Sequence, residues 1–197
     1  CKKHKQACKR LLHDFENENT NDFEYIWNEQ EAQKIVKWFS YLRQSKGVLA
    51  GKPIILTTWQ KFIVCQLYGW IKPDGNRRFT KAFIEVGRKN AKSQLLSGIL
   101  LHEISCTSVK YNELFETYTA GIKKDQSKII FNECKLMLRG SPLITKFKIN
   151  RDMIEHIKSG SFIKPLSKEE GKKGDGTNPA CTCLDEYHLH ETSDFYD

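Results

Sequence analysis

Residues 83–93 read Phe-Ile-Glu-Val-Gly-Arg-Lys-Asn-Ala-Lys-Ser, an apolar run that leads into a basic turn. This pattern predicts a β-strand over residues 79–86 and a helix that begins at Ser93. A loop between a strand and a helix N-terminus suits a phosphate group, because backbone N–H groups and the helix dipole converge on the anion. In such a loop Lys92 would neutralise the phosphates and Ser93 would bind Mg²⁺.

The loop departs from the usual phosphate-loop pattern at two positions. That pattern has Gly directly before the Lys and another Gly five residues earlier. This chain has Ala91 and Val86 there. The loop alone is therefore a weak signal for nucleotide binding.

A second segment, residues 180–186, strengthens the interpretation. It reads Ala-Cys-Thr-Cys-Leu-Asp-Glu, a β-prone run that ends in two adjacent carboxylates. At the end of a buried strand, Asp185 could hold Mg²⁺ and Glu186 could polarise an attacking water molecule. Alone, the pair is more typical of a solvated turn. Its position after Lys92 and Ser93, with strand and helix patterns between, favours a shared site.

The rest of the chain alternates between helix and strand patterns. Such alternation predicts an open, mostly parallel α/β sheet with a small helical region before it. We expect helices over 28–43, after a cap at Thr57 or Thr58, over 93–105 and over 124–138. We also expect a turn at 72–76, strands at 116–120 and within 146–162, and a mobile polar loop over 167–179.

Composition narrows the possible partners and compartment. The 197 residues carry a formal net charge of +8, with a denser basic start, which favours a polyanionic partner such as DNA. No segment is long and apolar enough to span a membrane, so we expect a soluble protein without a membrane partner. The seven cysteines form no disulfide pattern, which fits a reducing cytosol.

Several segments together carry a family resemblance. They are Trp59-Gln60, residues 86–93, Tyr118-Thr119-Ala120 with Asp125-Gln126, residues 161–167, residues 175–179, and Leu184-Asp185-Glu186-Tyr187-His188. In this combination the chain resembles the ATPase region of the large terminase subunit of tailed bacteriophages, of the HK97-like group. The resemblance runs through most of the chain, and this group is known for a deviant phosphate loop.

The resemblance implies an ASCE-type P-loop fold that binds ATP and Mg²⁺. It implies that Glu186 activates water, that Ser93 and Asp185 hold the metal, and that Lys92 and Arg88 act on the phosphates. Gln60 would recognise adenine. The residues implied in ATP binding are Gln60, Gly87, Arg88, Lys89, Asn90, Ala91, Lys92 and Ser93.

The resemblance also implies a domain plan and a set of partners. Residues 1–75 would form a helical lid subdomain, and residues 76–197 an ATPase core that stops after the acidic strand, before a C-terminal nuclease domain. The whole protein would hydrolyse ATP to move double-stranded DNA into proheads and would also be an endonuclease. Its other partners would be the small terminase subunit, the portal protein and further copies in a ring, in the bacterial host cytoplasm.

Two alternatives remain open at this stage. Asp185-Glu186-Tyr187-His188 also fits a DExH-type helicase or translocase, although such an enzyme would be expected to have Gly before Lys92. A basic DNA-binding module without enzymatic activity is the other alternative. An ATP titration would distinguish that module from an enzyme.

Overall fold

The structure is a computed structural model that describes residues 2–121, 124–167 and 178–186, with the side chains of 124 and 167 excepted. The chain divides into two compact units. The first comprises Cys1–Lys37 and Leu56–Glu85, and the second comprises Trp38–Ile55 and Val86–Asp197. The predicted boundary after residue 75 is simpler than this interleaved division, and the assignment of a lid and a core stays a prediction.

The first unit is built from helices and a small two-stranded antiparallel sheet. Its elements are α1 (Lys2–Asn17), β1 (Ile26–Trp27), most of α2 (Glu29–Tyr41), α3 (Thr58–Gly69) and β2 (Trp70–Ile71). The two strands pair antiparallel. The predicted helix over 28–43 is confirmed by α2, and of the two threonines expected to provide a cap, Thr57 is the N-cap of α3.

Aromatic side chains form the core of the first unit. Trp70 is fully buried, and the rings of Phe15, Phe23 and Trp27 lie 5.1, 5.7 and 5.2 Å from its ring. The Arg78 guanidinium lies 5.7 Å from the centre of the Trp70 ring, and it donates to both carboxylate oxygens of Asp14 at 2.7 and 3.3 Å. A bidentate pair of this kind fixes α1 in orientation.

The second unit contains a five-stranded mixed sheet in the order β4-β5-β6-β3-β7. The strands are β3 (Glu116–Gly121), β4 (Phe147–Ile149), β5 (Ile154–His156), β6 (Phe162–Ser167) and β7 (Pro179–Leu184). The two longest ladders, β3 with β6 and β3 with β7, are parallel, and the short β4-β5 and β5-β6 ladders are antiparallel. The predicted α/β class with a mostly parallel sheet is confirmed.

Helices α4 (Lys92–His102) and α6 (Lys124–Leu138) pack against each other in this unit. The buried Ser97 hydroxyl donates to the Ile130 carbonyl at 2.9 Å. Gly98 admits the Phe39 ring, since a Cβ at this position would lie 2.1 Å from a ring carbon. The predicted helix over 93–105 therefore exists, and it continues through a π-helical turn, Glu103–Thr107, into α5 (Ser108–Tyr111).

The predicted strand over residues 79–86 is wrong. These residues have no regular secondary structure, and Phe83 is 74% exposed. A β-prone run becomes a strand only when a neighbouring backbone pairs with it. Within the described ranges no β-ladder includes this run. Composition alone could not reveal this, because it reports propensity and not pairing.

The remaining predicted elements agree with the structure where it describes them. The turn at 72–76 has a hydrogen bond from the Gly75 N–H to the Lys72 carbonyl at 2.9 Å. The strand and helix at 116–120 and 124–138 are confirmed, as are strands within 146–162. The polar loop over 167–179 lies mostly outside the described residues. No helix in the described ranges is long and apolar enough to cross a membrane.

Candidate nucleotide-binding site

The ammonium group of Lys92 joins two segments that are far apart in sequence. Its Nζ lies 2.9 Å from Asp185 Oδ1 and 2.9 Å from Glu186 Oε1. Lys92 is the first residue of α4, and the two acids directly follow β7. The structure thus brings together the basic loop and the acidic strand end, as the sequence predicted.

The three side chains of this cluster differ in their exposure to solvent. The exposed fraction of the side chain is 7% for Asp185, 25% for Lys92 and 42% for Glu186. Partial burial of Lys92 lowers its pKa, but the hydrogen bonds to Asp185 and Glu186 outweigh this effect and raise the pKa above its ordinary value of 10.5. Lys92 is therefore protonated at neutral pH, and its ion pairs stabilise the fold until the pH rises above that value.

Asp185 is held in place from several directions. Its backbone N–H donates to the Ala120 carbonyl on β3 at 3.3 Å, and its Oδ1 accepts the Glu186 N–H at 3.0 Å. Glu186 has a φ of 52°, which is rare for a residue with a side chain. Backbone conformations of this kind are found preferentially at functional sites. The turn separates the two carboxylates, so a partly exposed Glu186 follows a buried Asp185.

The loop before Lys92 has a similarly unusual backbone. Lys89 and Ala91 have φ values of 63° and 55°. Ala91 therefore takes the left-handed conformation at the position where the common pattern has Gly, although Ala carries a Cβ. Val86, at the other expected Gly position, has no positive φ. At one of the two expected Gly positions the backbone therefore has the left-handed conformation that Gly favours.

Asn90 closes the loop through its side-chain amide. Its Nδ2 donates to the carbonyl of Gly87 at 3.0 Å and to the carbonyl of Arg88 at 3.2 Å. The sequence placed Asn90 in the ATP-binding set but gave no signal for this bracing role. The loop itself is exposed, so a ligand has access to it.

The first turn of α4 is open to an anion. Its N-cap, Ala91, makes no side-chain capping hydrogen bond. The first N–H groups of any helix have no partner within the helix, and they carry the positive end of its dipole. The half-exposed Ser93 lies in this first turn. Phosphate oxygens are natural partners for such a group of donors.

At the end of β3, the backbone of Gly121 lies close to the backbone of α6 at Ser127. A Cβ on Gly121 would lie 2.8 Å from the Ser127 backbone nitrogen. Thr119 Oγ1 also donates to the Ser127 carbonyl at 2.7 Å. These contacts hold the start of α6 against the carboxyl end of β3, next to β7. The sequence predicted that the strand ends at Gly121, but this packing role was not predicted. The available signal was a Gly between a strand and a helix.

Two further predicted site residues have different outcomes. Gln60 lies in the first unit, where its Oε1 accepts hydrogen bonds from the N–H and the hydroxyl of Thr57 at 2.9 and 3.0 Å. This contact caps α3, and the predicted contact of Gln60 with adenine stays a prediction. Arg88 is exposed in the loop, and its predicted action on the phosphates likewise stays a prediction.

An α/β sheet with a basic loop before a helix and acids at the end of one strand resembles the arrangement of P-loop nucleotide-binding proteins, except that no strand within the described residues 79–91 leads into the loop here. The family model of the terminase large subunit, ATPase domain, matches residues 58–197. This match covers more than half of the chain, so the chain belongs to the terminase large subunit ATPase family. The resemblance predicted from sequence is thereby confirmed.

The chain is also similar to a curated protein and to a solved structure. The terminase large subunit of Enterobacteria phage HK97 is 27% identical over 151 residues, which cover 72% of this chain and 27% of that protein. The crystal structure of the HK97 bacteriophage large terminase matches with a TM-score of 0.62 and 22% identity. The match covers 78% of this chain and 30% of the solved chain, and at this identity it supports the fold alone. The chain spans less than a third of the length of both.

The left-handed Ala91 generates a stability prediction. We expect Ala91→Gly to raise the free energy of unfolding by about 1 kcal/mol, because Gly adopts this conformation without the cost of a Cβ. Urea denaturation of the parent and the variant measures the difference. The control is Ala82→Gly at an exposed position without positive φ, where the substitution should be neutral or destabilising. Equal effects of the two substitutions would contradict the assigned backbone.

Proposed function

We propose that this chain binds and hydrolyses ATP at the cluster formed by Lys92, Asp185 and Glu186. The observation that carries the proposal is the pair of 2.9 Å contacts that joins the basic loop to the acidic strand end. Membership of the terminase ATPase family supports it and favours a terminase over a helicase. The same observations disfavour a DNA-binding module without enzymatic activity.

Lys92 would exchange one set of anionic partners for another. In the structure its ammonium group contacts two carboxylates. The β- and γ-phosphates of ATP, held by the N–H groups of the loop and of the first turn of α4, would compete for the same ammonium group. The arrival of the nucleotide would therefore free Asp185 and Glu186 for other roles.

The donor set at the strand end fits Mg²⁺. Lys92, Asp185 and Glu186 together carry a formal charge of −1, and carboxylate and hydroxyl oxygens are the ligands this cation prefers. We propose that Asp185 and the Ser93 hydroxyl hold it. Bound there, the metal would neutralise charge on the phosphates.

Glu186 would act as the base towards water. Its greater exposure and its turn conformation separate it from Asp185. The carboxylate would accept a proton from a water molecule as that water attacks the γ-phosphorus, and ADP would leave with the electrons of the broken P–O bond. Gln60 and Arg88 would contribute to adenine recognition and to charge stabilisation on the γ-phosphate.

We propose a wider function by analogy with the HK97 relative, and the match with this chain spans 27% of that protein's length. The HK97 relative is named a large terminase subunit, and by analogy ATP hydrolysis would drive double-stranded DNA into proheads. The small terminase subunit, the portal protein and further copies in a ring would be the partners. An endonuclease activity and a location in the bacterial host cytoplasm belong to the same proposal.

The role of Lys92 has a direct test. Lys92→Ala should abolish ATP binding measured by titration calorimetry with Mg²⁺, because the variant loses the charge that meets the β- and γ-phosphates. The control is Lys148→Ala on β4, which removes an exposed positive charge from a residue outside the predicted site. Equal ATP affinity of the parent and Lys92→Ala would refute the proposed site.

The two acids should give different phenotypes. Glu186→Gln should retain nucleotide binding while turnover falls about 100-fold or more, since only the base is lost. Asp185→Asn should weaken Mg²⁺-dependent binding instead. Calorimetry and phosphate release measure the two effects. Hydrolysis at the parental rate by Glu186→Gln would remove Glu186 from the mechanism.

A further inference from the structure

We propose that the outer face of α1 binds the phosphate backbone of double-stranded DNA through Lys2, Lys5 and Lys9, which we call the α1 lysine face. The choice of duplex DNA rests on the proposed function, whereas the choice of surface rests on the structure. Residues 1–13 contain five Lys and Arg residues and no acid. Part of the net positive charge of the chain is therefore concentrated on this one helix.

The opposite face of α1 is occupied by packing within the first unit. The His4 ring stacks on Phe62 with 6.2 Å between ring centroids, and Asp14 is buried against Arg78. Leu11, which lies between His4 and Asp14 in the sequence, is half-buried. Successive residues turn by about 100° around a helix, so the α1 lysine face lies roughly opposite these packed residues. Lys2, Lys5 and Lys9 are all exposed.

The α1 lysine face is not neutralised by neighbouring acids. Among the described residues no carboxylate forms an ion pair with its three members. Lys3, beside this face, lies 3.9 Å from Glu85, but both side chains are more than 70% exposed and water screens the pair. Glu16 is the nearest acid on the same face of the helix, about two turns beyond Lys9. The face therefore keeps its full charge available for an anionic partner.

The chemistry of the face favours a nucleic acid over other anionic surfaces. A helix that binds membranes inserts a continuous apolar side. In α1, Ala7 and Leu11 are half-buried and Phe15 packs against Trp70, so the exposed Leu12 is a single large apolar side chain beside the lysines. Protein interfaces are depleted in Lys and enriched in aromatic residues, which the three positions lack. From Lys2 to Lys9 the helix rises about 10 Å, a length over which B-DNA carries roughly six charges. Each ammonium group can thus meet its own phosphate.

Arg10 has a structural role and is excluded from the face. Its Nη2 donates to Gln66 Oε1 at 3.2 Å, and its guanidinium lies 5.0 Å from the centre of the Phe79 ring. Its substitution would loosen α1 as well as remove charge. A test of the proposal must therefore leave Arg10 in place.

The test compares two triple variants of the chain with equal loss of charge. Lys2→Gln, Lys5→Gln and Lys9→Gln together remove the α1 lysine face, and Gln preserves helix propensity. Lys52→Gln, Lys148→Gln and Lys158→Gln together remove three exposed lysines of the second unit. Fluorescence anisotropy with two duplexes of unrelated sequence gives the affinity over a series of salt concentrations, and calorimetry gives ATP binding.

We expect the parent to bind both duplexes alike, with affinity that falls steeply as salt rises. In the α1 variant the slope of log affinity against log salt should become shallower by about 2 to 3, because each phosphate contact contributes about 0.9. The control variant should keep a slope close to the parent's. ATP binding should be the same in all three proteins.

Several outcomes would overturn the proposal. They are equal slopes in the α1 variant and the parent, equal loss in both triple variants, or a parent that does not bind duplex DNA. Retained duplex binding with a selective loss of polyglutamate binding would instead assign the face to an acidic protein. If the parent binds ATP but the α1 variant binds DNA as the parent does, this inference alone is refuted. If the parent does not bind ATP, the proposed ATPase site is refuted.

Discussion

The contact of one lysine with two carboxylates is the interaction on which the candidate site depends. Lys92 and Glu186 are 94 positions apart in sequence, and their hydrogen bond holds the start of α4 at the end of β7. Asp185 is almost fully buried, so loss of the ammonium group would leave a buried charge without compensation. Phosphates can replace the carboxylates as partners of Lys92, so the interaction that orders the site is also the one that a nucleotide would displace.

The backbone around this contact is constrained on both sides. Ala91 and Glu186, adjacent to Lys92 and Asp185 respectively, both have left-handed conformations. Asn90 braces the loop, and the β3 carbonyl of Ala120 holds the Asp185 N–H. Strain of this kind persists only where surrounding contacts enforce it. Ala91 directly precedes Lys92 and Glu186 is itself a member of the charged cluster, so the strained backbone lies where the chemistry is proposed.

The sequence predicted the parts of the fold that depend on local pattern. The helical spacing of α2, the Thr57 cap and the strand that ends at Gly121 all appear in the structure. The order of Lys92, Asp185 and Glu186 along alternating elements predicted their convergence. Parallel strands bring their carboxyl ends to one edge of a sheet, which accounts for the placement of the acids after β7 beside the end of β3. No strand within the described residues 79–91 leads into Lys92, so its position at this edge could not be derived from the predicted elements.

Other features needed three-dimensional information. Whether residues 79–86 form a strand depends on a paired neighbour, which apolar composition does not report. The left-handed conformation of Ala91 contradicts the preference of its own side chain, so local propensity pointed away from it. Gln60 was assigned from a resemblance, while its contact with Thr57 could have been predicted from the Thr-x-x-Gln spacing of a capping box.

Amide hydrogen exchange of the chain with and without Mg²⁺ and a non-hydrolysable ATP analogue tests the central claim most directly. The account predicts that the nucleotide slows exchange in residues 87–95, because phosphate oxygens would accept hydrogen bonds from the loop and the first turn of α4. The same experiment on Lys92→Ala should show no such protection. Unchanged exchange in residues 87–95 at a saturating nucleotide concentration, with protection confined to another part of the chain, would contradict the account.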